Sequence, residues 1–393
     1  MSVLTIGDIG VLSGMIHIGD EAMFEAARDE LAERGLGVVG VSSAPEESAA
    51  RYGVPSVPRL GFVGLDRAAA ARRSTSLVDA ATGRTALGAD DPARQVLDAL
   101  DEASGVLIAG GGNLASRWPV HVYERTTLAA MAQARALPVV VSGQTFGPDL
   151  EPDDAERVAA MVRAAARTGV REHASAQLTR GWGADVHAGV DDASFLGRGP
   201  ADGDGPAASD RVLVSLSGWF AGRPAEDVES GIAALLDHAA DTVGPVVFHA
   251  HFGPERPGAE PAGDAALHER VRARMRRASE VLPSGDSLTA ARLARTSRLL
   301  VTSRYHPAVF AAPAGVPILA LAADEYTHVK LSGALGHWGQ DSVIDLDGLA
   351  DASDHLTRTA ESAAATTRGA AARLDSHRAG SAAWWDSVAH ALR

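Results

Sequence analysis

The sequence predicts an α/β fold built from two parallel-sheet domains, and three observations carry that prediction. Short apolar runs alternate with longer amphipathic stretches along the whole chain, the pattern of parallel strands joined by crossover helices. The chain has 393 residues, too many for one ordinary core. The stretch GRGPADGDGPAASD at 197–210 is rich in Gly, Pro, Ala and Asp, and reads as the connection between two similar sets of elements.

In the first set, the apolar runs 3–6, 38–41, 105–109, 138–142, 169–171 and 186–188 are expected strands. Helical periodicity covers 21–34, 93–102, 123–135, 155–167 and 175–181, while 42–92 carries scattered Pro, Gly and Ser and no clear period. In the second set, strands are expected at 212–215, 246–249, 280–282, 299–303, 318–321 and 342–344. Helices are expected at 226–242, 264–278, 287–296, 307–314 and 327–335. The Ala-rich end, 352–393, reads as helical and carries Trp384 and Trp385. The expected organisation is a domain over 1–198, a linker over 199–210, a domain over 211–350 and a helical tail over 351–393 with the length to pack back across the domains.

Composition narrows the function classes. The net charge of -14 argues against nucleic acid as a partner, since phosphate backbones need a basic surface. With no cysteine there is neither disulfide nor thiolate metal site. The start MSVLTIGDIG lacks a basic segment followed by an apolar one, and no run of 18 apolar residues occurs, so a cytoplasmic protein without a transmembrane segment is expected. Of 36 basic residues only Lys330 is lysine. Where charge alone suffices this chain uses arginine, so the survivor either marks a place where a compact ammonium is needed or is simply the one lysine left over, and its position favours the former.

Five constellations carry candidate chemistry. The first is RYHP at 304–307, where a buried strand turns into a helix. With Pro307 at the first helical position, His306 takes the cap beside free backbone N–H groups, a place that attracts anions. Arg304 adds a bidentate donor for carboxylate or phosphate, and His306 exchanges protons near neutral pH. Lys330 follows the next strand, and successive strand ends of a parallel sheet lie side by side, so the three groups suit a small substrate with several negative charges. The ordinary alternative has Arg304 and His306 capping carbonyls and pairing with Asp324 or Glu325.

The second constellation is the strand-and-glycine turn SGVLIAGGGNL at 104–114, which lets a ligand approach the backbone at Gly111, Gly112 and Asn113. It is neither a dinucleotide fingerprint nor a P-loop. VVVSGQTFGP at 139–148 is a second such turn, with Gln144 expected to be exposed. In the third, IHIGDEAMFEAARDEL at 16–31, Asp20 is an expected N-cap and Glu21 either a first-turn carboxylate or a base for a hydroxyl. In the fourth, Arg171 binds an anion or an adjacent carboxylate such as Glu172. The fifth, His249 and His251, invites a metal, but two histidines with no further partner spacing fit hydroxyl or phosphate contacts better.

Taken in order, these segments resemble the polysaccharide pyruvyl transferase family. The opening block at Gly19-Asp20-Glu21-Ala22, GGGNL at 110–114, GQTFGP at 143–148, VREHAS at 170–175, RYH at 304–306 with GVP at 315–317, and the lysine beyond the next strand are all similar to the family's pattern. The chain differs in carrying Tyr305 where the family usually has leucine, His17 where asparagine is frequent, and Pro307 where a small residue is common.

The resemblance implies two Rossmann-like domains in a GT-B-like arrangement, with an interdomain cleft, an acceptor side in the first domain and a donor side in the second. It implies phosphoenolpyruvate as donor substrate, a sugar or glycan diol as acceptor, and a pyruvate ketal and phosphate as products, with no cofactor and no metal. Arg304, Arg171 and Lys330 would share the donor's carboxylate and phosphate, and His306 would protonate its methylene carbon. Asp20 and Glu21 would orient the acceptor, with Gly111, Gly112, Asn113, Gln144, His249 and His251 as further contacts. A lipid-linked acceptor would bring peripheral membrane contact. Two other readings fit the same architecture: a glycosyltransferase or epimerase using a nucleotide sugar, and a family member that has lost catalysis.

Overall fold

The structure, a computed structural model, describes residues 1–197 and 209–393, so most of the expected linker, 199–208, lies outside the described residues. The chain divides into two compact units. One comprises Met1–Leu12, Met23–Asp192 and Ala379–Arg393, the other Ser13–Ala22 and Ala193–Arg378. Two segments thus fall on the far side of the sequence boundary: residues 13–22 join the second unit, and the last fifteen residues join the first.

In the first unit a parallel sheet runs in the order Ser56–Pro58, Gly37–Ser42, Ser2–Ile9, Ala103–Ile108, Val139–Phe146, Arg167–Val170, His187–Ala188. Its central strands are apolar on both faces, as strands covered by helices on each side must be. Strand order reverses between Ser2–Ile9 and Ala103–Ile108, where the glycine turn lies. That turn is itself a short strand: Gly111–Leu114 pairs in parallel with Val139–Phe146. The unassigned stretch 42–92 holds the helix Pro45–Tyr52, the strand Ser56–Pro58 and the helix Arg67–Ala81, whose cap Asp66 accepts from the Ala69 N–H at 2.7 Å.

Several helices begin earlier than periodicity suggests, and proline explains two of them. Pro119 and Pro152 open the helices Pro119–Ala134 and Pro152–Ala164, because the first turn has no use for the missing N–H.

The second unit carries the parallel sheet Ser279–Leu282, Val246–His249, Val212–Ser215, Leu299–Thr302, Ile318–Ala322, Val343–Asp345. Its order reverses between Val212–Ser215 and Leu299–Thr302, so the RYHP segment leaves the sheet at its topological switch point, where such sheets bind ligands. A feature without a sequence signal is the antiparallel pair of Met15–His17 with Phe252–Pro254, which adds the segment before the first long helix to this unit.

The tail forms Ala352–Glu361 and the long helix Ala363–Ala391. Its last turns pack in the first unit: Trp385 is fully buried with Val3, Leu107 and Val140, and Trp384 donates its Nε1–H to Ser142 Oγ at 2.9 Å. A buried tryptophan removes roughly 200 Å² from water, about 5 kcal/mol by transfer bookkeeping, so these turns belong to that core.

Candidate active site

At the switch point of the second sheet, polar side chains close the strand ends. Ser215 and Thr302 are register partners, and Thr302 Oγ1 donates to the Ser215 carbonyl at 2.8 Å. The Ser217 N–H donates to Ser303 Oγ at 2.8 Å, and the Leu216 N–H donates to Nε2 of the buried His268 at 3.0 Å. Burial pushes the His268 pKa down to about 3, which keeps that nitrogen an acceptor.

The backbone stays extended at Arg304, and the helix Tyr305–Ala311 starts at the next residue. This corrects the cap assignment: Arg304 is the N-cap, His306 the second helical residue and Pro307 the third. Proline is tolerated there because the N–H groups of the whole first turn lack intrahelical partners.

Arg304 faces Asp264, forty residues earlier. Its Nε and Nη2 donate to the two carboxylate oxygens at 2.8 and 2.5 Å, a fork that fixes the guanidinium plane. Asp264 is buried and also accepts from the Phe252 N–H at 2.9 Å. The partner is thus neither Asp324 nor Glu325. Asp324 instead caps the helix Glu325–Gly336 and accepts from Trp219 Nε1 at 2.8 Å.

The His306 imidazole lies on the backbone of Gly19, where an added Cβ would overlap the ring. No other residue type leaves room for that approach. Beside Gly19, Asp20 Oδ2 accepts from His17 Nδ1. Asp20 is therefore not a cap: the helix Ile18–Glu33 starts two residues before it. Glu21 is buried, at 2% exposure.

His306 packs edgewise on Tyr305 and against Phe310, whose ring also meets His251. His251 is buried, and burial together with the charges of His249, His306, Arg304 and His17 holds its pKa well below the usual imidazole range. Five ionisable side chains thus converge within the second unit. His249 is fully buried, donates Nε2–H to the Ser284 carbonyl at 2.7 Å, and has its pKa pushed down to about 4 by burial. Its ring meets that of His251 edge-on at 5.4 Å.

Lys330, on the helix Glu325–Gly336, donates to Tyr326 Oη at 3.0 Å. Its Nζ lies 4.6 Å from the Tyr326 ring centre and 5.0 Å from that of Tyr305. Tyr305 therefore touches Lys330 and His306 at once, which joins the two residues by one aromatic ring.

The remaining candidates lie in the first unit. Arg171, 1% exposed, donates Nη1–H to Asp191 Oδ2 at 2.7 Å and Nε–H to Thr145 Oγ1 at 2.9 Å, the ordinary alternative of an ion pair with a nearby carboxylate. Gln144 is fully buried, contrary to the expected exposure, because its Nε2 donates to the Ala109 carbonyl across the sheet. Gly111 and Gly112 form backbone of the added strand with Asn113 half-buried beside them. Close by, the Asp192 carboxyl packs on Gly143, and burial with the neighbouring Asp191 charge pushes its pKa up to about 7.

Sequence reasoning gave Asp264 no place and named Gly19 and His17 only as positions of the resemblance, not as part of a site. Nothing in sequence ties Asp264 to Arg304. His17 carried a local signal, an imidazole three residues before a carboxylate at the start of a helix.

The fold is similar to that of UDP-GlcNAc 2-epimerase from Neisseria meningitidis bound to UDP-GlcNAc, with a TM-score of 0.57 and 10% identity over 94% of each chain. UDP-GlcNAc 2-epimerase from Methanocaldococcus jannaschii gives 0.57 and 10% over 92% of each chain. A ugt transferase from Siraitia grosvenorii in complex with UDP gives 0.54 and 11%, covering 98% of this chain and 99% of that one. At such identities the likeness is one of fold, and the fold is GT-B-like, with two Rossmann-like domains and a C-terminal helix. Among the described residues no helix is long and apolar enough to cross a membrane. No curated protein matches the chain. The family model for polysaccharide pyruvyl transferase matches residues 17–325, a span that opens at His17, includes Arg304 and His306, and ends five residues before Lys330. With most of its length inside that match, the chain belongs to the polysaccharide pyruvyl transferase family.

Proposed function

We propose that the protein transfers the enolpyruvyl group of phosphoenolpyruvate to two hydroxyls of a sugar or glycan, closing a pyruvate ketal and releasing phosphate. The observation that carries this reading is the gathering of Arg304, His306 and Lys330 at the carboxyl edge of one sheet, His306 and Lys330 both against Tyr305. A donor with a carboxylate and a phosphate needs separate cations, and the Asp264 fork leaves the Nη1 side of Arg304 for one of them.

In this reaction His306 gives a proton to the methylene carbon, and the neighbouring carbon becomes electrophilic. The first hydroxyl oxygen bonds to that carbon. Phosphate leaves with the electron pair of its ester bond, its charge balanced by Lys330, and the second hydroxyl closes the ketal. Of the two hydroxyl protons, one restores His306 and the other departs on phosphate. The reading places the enzyme in the cytoplasm, with membrane contact only if the acceptor is lipid-linked.

A melting-temperature screen of phosphoenolpyruvate against UDP-sugars tests the donor. Stabilisation by phosphoenolpyruvate, with phosphate release dependent on a hydroxyl acceptor and lost in His306→Ala, is the expected result. Stabilisation by a UDP-sugar alone would replace this reading with a nucleotide-sugar reaction on the same fold.

A further inference from the structure

Transfer to a hydroxyl also needs a group that removes its proton. The second unit offers several imidazoles and carboxylates near His306, and accessibility sorts them. His249 and His268 are fully buried and fixed by the Ser284 carbonyl and the Leu216 N–H. His251 is 3% exposed, Glu21 and Asp264 are 2% exposed, and Asp264 is committed to Arg304. The His17 side chain is 44% exposed, while that of its partner Asp20 is 12% exposed.

We infer that His17, oriented by Asp20, is the base that takes the proton of the first acceptor hydroxyl, working beside His306.

The Asp20 carboxylate accepts from His17 Nδ1, so Nδ1 carries a proton and Nε2 is the nitrogen that exchanges one. A sheltered carboxylate behind a more open imidazole is the arrangement that orients a base. The backbone holds this pair in place. His17 is the register partner of Phe252, and the Ile18 N–H donates to the His251 carbonyl at 3.0 Å. The Phe252 ring meets the imidazole edge-on at 5.3 Å. Gly19, between His17 and Asp20 in sequence, carries the His306 ring on its backbone, so acid and base are set by one four-residue segment. His17 acts on the buried His251 together with His249, His306 and Arg304, and Arg304 is paired with Asp264.

The step balances. The hydroxyl O–H bond breaks, its proton goes to His17 Nε2, and its electron pair forms the bond to the donor carbon as His306 protonates the methylene. His17 returns the proton to the departing phosphate, and the proton of the second hydroxyl restores His306.

The inference rests on the pyruvyl-transfer reading, and the experiment separates the two. Phosphate release from phosphoenolpyruvate is measured with methyl glycosides of glucose, galactose and mannose, for wild type, His17→Ala and Asp20→Asn, alongside the melting shift caused by phosphoenolpyruvate. His17→Ala is expected to lose about 10²–10⁴-fold in kcat while keeping that melting shift, and free imidazole is expected to restore at least about tenfold. Asp20→Asn, a positioning change, should lower kcat about tenfold or more with the KM for phosphoenolpyruvate unchanged. A His17→Ala enzyme as fast as wild type, or one whose loss imidazole does not relieve, overturns the assignment and leaves the transfer reading intact. A wild type that releases no phosphate with any of these acceptors removes the transfer reading and this one with it.

Discussion

Arg304 and Asp264 meet through two parallel hydrogen bonds, Nε to Oδ2 at 2.8 Å and Nη2 to Oδ1 at 2.5 Å, although forty residues separate them. Asp264 fixes the guanidinium plane at the switch point. Removing it leaves a half-buried cation without its counter-charge and the Phe252 N–H without its acceptor. Asp264→Ala is expected to cost about 3 kcal/mol of stability in urea unfolding and to weaken the melting shift caused by phosphoenolpyruvate. A variant as stable as wild type would show that the fork holds nothing in place.

Gly19 tests the placement of His306. Alanine favours a helix over glycine by about 1 kcal/mol, so propensity alone predicts a small gain in stability for Gly19→Ala. The added methyl occupies the space of the imidazole, however, and His306 must turn away. Phosphate release is expected to fall at least about tenfold with little change in melting temperature. Full activity would mean that His306 need not lie against this backbone.

For Lys330, the two tyrosine rings define a narrow seat for an ammonium. Guanidinium is planar and wider, so Lys330→Arg keeps the charge and loses the fit. Turnover is expected to drop about tenfold or more while the fold persists, read by phosphate release and thermal melting. Near-normal turnover would assign the lysine to charge alone.

His268 makes stability depend on acid. Its folded pKa, about 3, lies below that of an unfolded imidazole, so its contribution is present above pH 6.5 and is lost as pH falls toward 3. Between pH 6.5 and 4.5 this amounts to roughly 2–3 kcal/mol at most. Melts at pH 7 and 4.5 should show a smaller acid loss for His268→Gln than for wild type. An equal loss in both would exonerate His268.

Asp192 acts with the opposite sign. Its folded pKa, about 7, lies above that of an unfolded carboxyl near 3.8, so its contribution is full below pH 3.8 and is lost as pH rises through 7. Asp192→Asn should therefore gain on wild type by about 2–3 kcal/mol between pH 5 and pH 8, followed by thermal melting. A gap that does not widen with pH would show that the carboxylate is not penalised in this environment.

Much of this architecture was legible in the linear chain. Apolar runs such as 212–215 and 299–303 announced buried parallel strands, because a strand covered on both faces has no polar side to show. Polar blocks following those runs announced strand ends, and Lys330 stood out by being the single lysine. Segment 42–92 stayed unread because the helix Pro45–Tyr52 is too short for a period to show, and Arg67–Ala81 is mostly Ala, Arg and Ser with no apolar stripe beyond Leu77 and Val78.

Local periodicity, turn residues and the order of a few polar blocks were enough to determine an α/β chain with two sheets, since each of those signals is written within a few neighbouring residues. Tertiary structure alone decided that residues 13–22 join the second unit, that GGGNL becomes a strand, that Arg304 answers to Asp264 and that His306 rests on Gly19. Each of those outcomes is a contact between segments distant in sequence. Such contacts arise from whole elements packing together, and no local pattern encodes which residues will meet.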